Sequence, residues 1–255
     1  MTPQRLERFA RHIVLPEVGG AGQVALTQAH VVLIGCGGIG SPALQYLAGA
    51  GVGKLTLADG DVVDASNLQR QTVFTEADIG KPKAQAAADW LARFDPAIEA
   101  CVHVGRVDCD NVAQVLGGGV SLVLDGCDNF ATRLAVSDAC VAAGIPLTSA
   151  AVGRFQAQVA NFAGHLPGQP CYRCWVGDAF DAEDCDTCAA DGVLGAFVGM
   201  AGTMAAMSAI RVLLEGHASL GDPQWGQLHL VDGLAPSIRT IRVPKDADCK
   251  GCSAA

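Results

Sequence analysis

The chain has 255 residues, a formal net charge of -9 and 50% hydrophobic residues, enough for one α/β core. A pI near 5.0 argues against nucleic acid as the main partner. No apolar run approaches the roughly 20 residues of a membrane span, because glycine and polar residues interrupt each candidate.

The opening MTPQRLERFARH is charged and carries no apolar signal segment, so a cytoplasmic location is expected. On that reading the 11 cysteines are reduced thiols, metal ligands or reactive groups before they are disulfides. Residues 4–12 read as a helix, with Arg5, Arg8 and Arg11 at helical spacing, and PEVGGAGQ after it reads as a loop. Strand-like runs then recur at Val31–Ile34, Leu55–Ala58, Glu99–Val104, Ser121–Leu124 and Pro146–Ala150. Helical patterns separate them at Ser41–Ala50, Pro82–Phe94, Asp110–Leu116 and Thr132–Ala143. This alternation predicts an α/β fold with a Rossmann-like, mostly parallel sheet and helices on both faces.

After Ala151 the character changes. Gln156–Phe162 alternates like a strand, an acidic loop fills residues 176–191, and Val193–Glu215 is a long apolar helix rich in small residues. That helix is assigned to core or interface packing. Trp225–Val231 and Ser237–Val243 read as an antiparallel pair that extends the sheet. One domain over residues 1–255 is expected, with the helix at 4–12, a nucleotide-binding half at 28–151 and a second half at 152–255.

The segment from Val31 carries most of the functional information. A strand runs into Gly35-Cys36-Gly37-Gly38-Ile39-Gly40, then a helix and a second strand ending in Asp59. Glycines let a backbone approach phosphate, a helix start attracts anions, and an acid after the second strand suits ribose hydroxyls. Taken alone the turn fits a dinucleotide cofactor as well. Beyond Asp59, Ser66-Asn67-Leu68-Gln69-Arg70-Gln71 places polar groups and a cation where a triphosphate needs them.

The combination GxGGxG, LTLxDxDxVxxSNLQRQ, GxxKA and DGCDN resembles the ThiF/MoeB/HesA adenylyltransferases, relatives of the ubiquitin-activating enzymes, over nearly the whole chain. The resemblance implies ATP-dependent adenylylation of the C-terminal glycine of a small ubiquitin-like sulfur-carrier protein ending in Gly-Gly, in a molybdopterin- or thiamine-type pathway. It implies a separate sulfur donor protein and a homodimer with shared active sites, and it makes 152–255 the carrier-binding and zinc half. A relative acting on a small molecule or a tRNA base, and an NAD-dependent oxidoreductase, are the alternatives.

Nucleotide contacts are expected from Gly35, Gly37, Gly38, Gly40, Asp59, Asp61, Ser66, Asn67, Leu68, Gln69, Arg70, Lys83, Asp128 and Asn129. Among these, the resemblance puts Asp59 on the ribose, and Asn67 and Arg70 on the triphosphate. It selects Lys83 over Lys81 as the phosphate ligand in Gly80-Lys81-Pro82-Lys83, where Pro fits the first turn of a helix. Asp128 follows an apolar strand at the carboxyl edge of the sheet and suits Mg²⁺, whereas Asp125 aligns with the strand end itself. Arg11 matches an arginine that reaches the ATP site of the other subunit, and Arg8 is a weaker version of the same idea.

Cys171-Tyr172-Arg173-Cys174 and Cys249-Lys250-Gly251-Cys252 are two CxxC pairs whose thiolates fit a tetrahedral Zn²⁺ that staples the tail. A disulfide or redox pair is the alternative. Cys188, in the acidic loop, matches a cysteine that in some relatives links to the activated carrier, although acidic neighbours blunt a thiolate. Cys36, Cys101, Cys109, Cys127 and Cys140 read as small core residues.

Overall fold

The computed structural model describes residues 1–177 and 192–253. Cys188 and most of the acidic loop lie outside the described residues. Eight strands make one sheet: β1 (His30–Ile34), β2 (Lys54–Asp59), β3 (Glu99–Val104), β4 (Leu122–Asp125), β5 (Leu147–Gly153), β6 (Gln156–Phe162), β7 (Gln227–Asp232) and β8 (Ser237–Arg242). Their order is β3-β2-β1-β4-β5-β6-β7-β8. The first five pair in parallel and the last three join antiparallel, as the sequence pattern predicts.

Period-two burial splits the sheet into two apolar faces. Val31, Leu33, Leu55, Leu57, Leu122, Leu124 and Val159 point to one face. They meet α3 (Gly19–Gln28), α4 (Gly40–Ala50), α5 (Lys83–Phe94) and α9 (Gly195–Leu213). Val32, Ile34, Ala58, Val123, Leu147 and Phe162 point to the other. There they meet α6 (Val112–Leu116), α7 (Phe130–Ala143) and α8 (Tyr172–Val176).

The N-terminus departs from expectation. The helix read at 4–12 is two, α1 (Pro3–Arg8) and α2 (Ala10–Ile13), separated at Phe9, whose backbone (φ -102°, ψ 11°) leaves the helical region while its ring is buried. PEVGGAGQ is not all loop: α3 begins at Gly19, held by Gln23, a fully buried side chain that donates to the Ala50 carbonyl (2.9 Å). Cys109, expected in the core, is exposed. Helix α9 is long and apolar enough by length and composition to cross a membrane. It instead packs across the sheet and α4, burying Phe197, Val198, Ala201, Ala205 and Ala209.

Candidate functional site

Strands β2, β1 and β4 lie side by side, and the chain leaves their carboxyl ends in three loops. The strand order reverses at β1, so the loops after β1 and β4 part to opposite faces and open a crevice, the usual ligand position in an open α/β sheet.

The turn after β1 is built for close backbone approach. Gly35 has φ +84°, and a Cβ on Gly40 would sit 1.9 Å from the Gly35 carbonyl oxygen, so no side chain fits there. A Cβ on Gly35 would stand 3.0 Å from the Cys127 nitrogen, which places the glycine turn directly against the loop that carries Asp128. Helix α4 starts at Gly40 with no side-chain cap, so its first amides face the crevice without a side-chain partner among the described residues.

Asp59 ends β2 and reaches back to the turn. It accepts from the Cys36 amide (2.7 Å) and the Asp61 amide (2.8 Å). Burial raises its pKa above the ordinary carboxylate range, opposed by those two amides and by the Lys83 ammonium. Lys83 arrives from 24 residues away because the intervening chain closes on itself. Val63 donates to the Lys81 carbonyl (2.9 Å), Gly80 to the Val63 carbonyl (2.8 Å) and Lys83 to the Asp61 carbonyl (2.9 Å). Pro82 caps α5 instead of entering its first turn, leaving Lys83 as the first helical residue. The Lys83 side chain is 7% exposed, yet its Nζ donates to Asp61 Oδ2 (2.8 Å), a carboxylate 71% exposed. The cation therefore sits at the lip of the crevice beside Asp59 and Asp61. Lys81 pairs with Asp78 (2.9 Å) outside this group.

The SNLQRQ segment supplies a second cation. Arg70 donates to the Ser66 carbonyl (2.9 Å), and its Cγ and Cδ lie 3.6 Å from where a Cβ on Gly38 would be. The guanidinium stem thus lies across the glycine turn. Ser66 and Gln69 are exposed, and Leu68 packs against the core. Asn67 closes a capping box with Asp64, its Oδ1 accepting from the Asp64 amide (3.4 Å). Asn129 caps α7 through the Thr132 amide (2.9 Å), and Asp128 before it is exposed. Asp125 is buried and accepts from Arg133 (3.2 Å), as befits a strand-end residue.

At the N-terminus, Arg8 lies 3.5 Å from Asp95 and donates to the Phe94 carbonyl (3.2 Å), so it is engaged within its own chain. Arg11 is exposed on α2, and among the described residues no ion pair involves it.

Two residues of this neighbourhood carry more than the sequence reading gave them: Gln71 stood there only as part of the polar run after Asp59, and Arg133 not at all. Gln71 is 3% exposed, its Oε1 has no partner, and its Nε2 lies 3.5 Å from the Cβ position of Gly37. Arg133 is buried behind the Asp128 loop. A lone cation inside the largely apolar FATRLAVSDACVAA helix was the available signal for it.

The two CxxC pairs converge. Cys171 and Cys249 sulfurs are 3.5 Å apart, Cys174 and Cys252 3.5 Å, and Cys171 and Cys174 3.9 Å. All four lie within 4.8 Å of one another. A tetrahedral Zn²⁺ with sulfur at about 2.3 Å requires sulfurs about 3.8 Å apart, so the donor set fits that ion. In this structure all four cysteines are free thiols.

The ThiF family model matches residues 9–252. The chain belongs to the ThiF family. Among relatives, the SAMP-activating enzyme E1 of Haloferax volcanii is 39% identical over 248 residues, covering 97% of this chain and 89% of that one. The molybdopterin-synthase adenylyltransferase of Salmonella typhimurium is 38% identical over 252 residues, covering 99% and 98%. The mouse adenylyltransferase and sulfurtransferase MOCS3 is 43% identical over 246 residues, and this ThiF-family chain spans only 52% of its length. The fold also matches solved structures. E. coli MccB with ATP superposes with a TM-score of 0.80 at 21% identity, covering 96% of this chain and 74% of that one.

Proposed function

We propose that this ThiF-family adenylyltransferase activates the C-terminal glycine carboxylate of a small ubiquitin-like sulfur-carrier protein with Mg·ATP, releasing pyrophosphate. The observation that carries the reading is the convergence of the glycine turn, Asp59, Lys83, Arg70 and the Asp128 loop on one crevice. The full-length matches to a molybdopterin-synthase adenylyltransferase and a SAMP-activating enzyme favour a carrier protein as substrate.

The chemistry needs no general base. A terminal carboxylate, with a pKa of about 3.3–3.7, is already an anion at neutral pH. One of its oxygens forms a bond to the α-phosphorus, the bond from that phosphorus to the bridging oxygen breaks, and the electron pair leaves with pyrophosphate. The protein must align two anions and absorb charge on the leaving group, which is positioning plus electrostatics. In this reading Gly35, Gly37, Gly38 and Gly40 and the start of α4 receive the phosphates, and Asp59 binds the ribose. Arg70 and Lys83 hold the triphosphate. Mg²⁺ would supply charge neutralisation on the phosphate oxygens, and Asp128 would hold it.

Charge balance supports both the metal and a partner subunit. Asp59, Asp61 and Asp128 outnumber Arg70 and Lys83 at this site, so protein cations alone do not offset a bound triphosphate. A divalent ion and a further cation complete the balance. Arg11, exposed on α2, is that cation when it enters the site of a second copy. Val14 (74% exposed) and Leu15 (47%) beside it, and Met200 (40%) and Met207 (41%) on α9, offer apolar surface for the dimer contact. Zn²⁺ on the four cysteines leaves no open position and serves the fold of the tail. The product, a carrier acyl-adenylate, then accepts sulfur from a separate donor. A role for Cys188 as a covalent link to the carrier belongs to the same reading.

Incubating the protein with Mg·ATP and a Gly-Gly carrier should yield a carrier species heavier by one AMP, which hydroxylamine converts to the carrier hydroxamate with release of AMP. Persistent absence of that species with carriers from several pathways would remove the proposal.

A further inference from the structure

The four-cysteine centre and the Asp128 loop are joined by one buried side chain. Arg133, 6% exposed, donates through Nη1 to Asp125 Oδ2 (3.2 Å) and Ser149 Oγ (3.1 Å). Through Nη2 it donates to the Ala150 carbonyl (2.8 Å) and to the Cys127 carbonyl. The Cys127 carbonyl belongs to the peptide bond that leads directly into Asp128, so the guanidinium holds the loop from behind. A core arginine serving stability alone would need its carboxylate partner. This one is also spent on the Cys127 carbonyl just past β4 and on the Ala150 carbonyl within β5, one residue past the Ser149 that pairs with the end of β4.

The Tyr172 side chain lies close enough to the Arg133 guanidinium to interact with it electrostatically, and the two line one small cavity with Ser149 and Phe162. Tyr172 lies inside the first CxxC pair, and Cys171 caps the helix that it begins. Its ring packs against Phe130 (6.3 Å) and Phe162 (5.8 Å), which leaves little freedom to turn. A second tie runs beside the first. Arg173 makes a two-pronged pair with Asp138 of α7, both contacts at 2.7 Å, and Gly251 of the second CxxC pair lies against both residues. Helix α8 is therefore tied to the cysteine centre, and α7, whose first turn follows Asp128, is tied to α8.

We propose that the cysteine centre positions the nucleotide site through Tyr172 and Arg133, so that a loaded centre raises affinity for Mg·ATP. The inference rests on the reading that Asp128 holds the nucleotide's metal. Coupling between two sites is reciprocal, and coupling of this kind spans about 5–150-fold in affinity. Arg133 and Tyr172 are positioning residues here, since neither touches substrate.

The test uses the full chain loaded with Zn²⁺. Mg·ATP affinity is measured by calorimetry, and Zn²⁺ affinity by equilibrium competition with a chromogenic chelator, with and without saturating Mg·ATP. In wild type, Mg·ATP should tighten Zn²⁺ binding about fivefold or more. Tyr172→Phe keeps the ring and should keep one Zn²⁺ per chain, but should reduce the effect to less than about twofold; Arg133→Lys should act the same way. Wild-type coupling below about twofold, or unchanged coupling in Tyr172→Phe, overturns the proposal. The competition arm starts from loaded protein, so it decides even if the stripped chain unfolds. Tight Mg·ATP binding without coupling would sink this inference alone, whereas no nucleotide binding at all would sink it together with the adenylylation reading.

Discussion

Replacing Lys83 with Met separates chemistry from stability in one substitution. The ammonium is almost fully buried, at 7% exposure, while the carboxylate that it contacts is 71% exposed. An ion pair with one member so far in water stabilises by at most about 1 kcal/mol, and removing the lysine leaves Asp61 hydrated instead of stranded. Met fills most of the same volume, so packing around α5 changes little. Aimed at the phosphate under attack, however, one preorganised donor is worth about 100- to 1,000-fold in rate. We therefore expect kcat/KM for carrier adenylylation to fall by that factor, with the unfolding free energy from urea titration lowered by no more than about 1 kcal/mol. Lys81→Met is the matched control. Lys81 faces Asp78 and solvent, at 47% exposure, and its loss should leave the rate within about twofold. A Lys83→Met enzyme less than about tenfold impaired, or one whose activity and folding fail together, would take Lys83 off the phosphates.

Gly40→Ala should open the turn, because its Cβ would stand 1.9 Å from the Gly35 carbonyl oxygen. We expect a stability loss of about 1–3 kcal/mol by thermal melts and no measurable ATP binding by calorimetry. The Asp78 carboxyl is held down to about 2 by Lys81 first and by Thr75 second. The ordinary value is 3.8, so this group adds stability that is complete above about pH 4 and fades as pH falls toward 2. With Lys81 half exposed we expect Asp78→Asn to cost about 1 kcal/mol at pH 7, the gap from wild type narrowing below pH 4 in urea titrations. If Arg11 completes the partner's site, Arg11→Ala and Lys83→Met chains, each inactive alone, should regain about a quarter of wild-type activity after subunit exchange. No recovery in verified mixed dimers would place Arg11 outside the partner's site.

The sheet was legible because its strands are short apolar runs set between amphipathic helices. The bounds of β3 and β6 follow directly from their alternation. Helix α3 was not legible, since two glycines at its start mimic a loop. A third glycine, Gly22, has a tertiary reason: a Cβ there would stand 3.1–3.3 Å from Leu214, Ala218 and Val18, closer than those side chains allow without shifting. At the site, motif spacing identified the residues but not what each one contacts within its own chain. Asn67 and Asn129 were read only as nucleotide contacts, yet each also caps a local turn or helix, a short-range use that Asn favours wherever a backbone amide is free. Arg8 and Arg11 share a helical spacing in sequence, but the break at Phe9 turns Arg8 onto Asp95 and leaves Arg11 outward. Arg133 escaped the motifs because half of its acceptors are main-chain carbonyls, of Cys127 in the loop after β4 and of Ala150 in β5, which no side-chain pattern records.

Adenylylation requires a crevice that joins a nucleotide triphosphate to a protein's terminal carboxylate. Exchange of labelled pyrophosphate into ATP reads out that joining, measured with a Gly-Gly carrier, with the carrier lacking its last glycine, and without carrier. We expect exchange only with the intact carrier, and its loss in Arg70→Ala and Asp128→Ala. Exchange that ignores the carrier, or that survives both substitutions, would show that this crevice does not carry out the reaction.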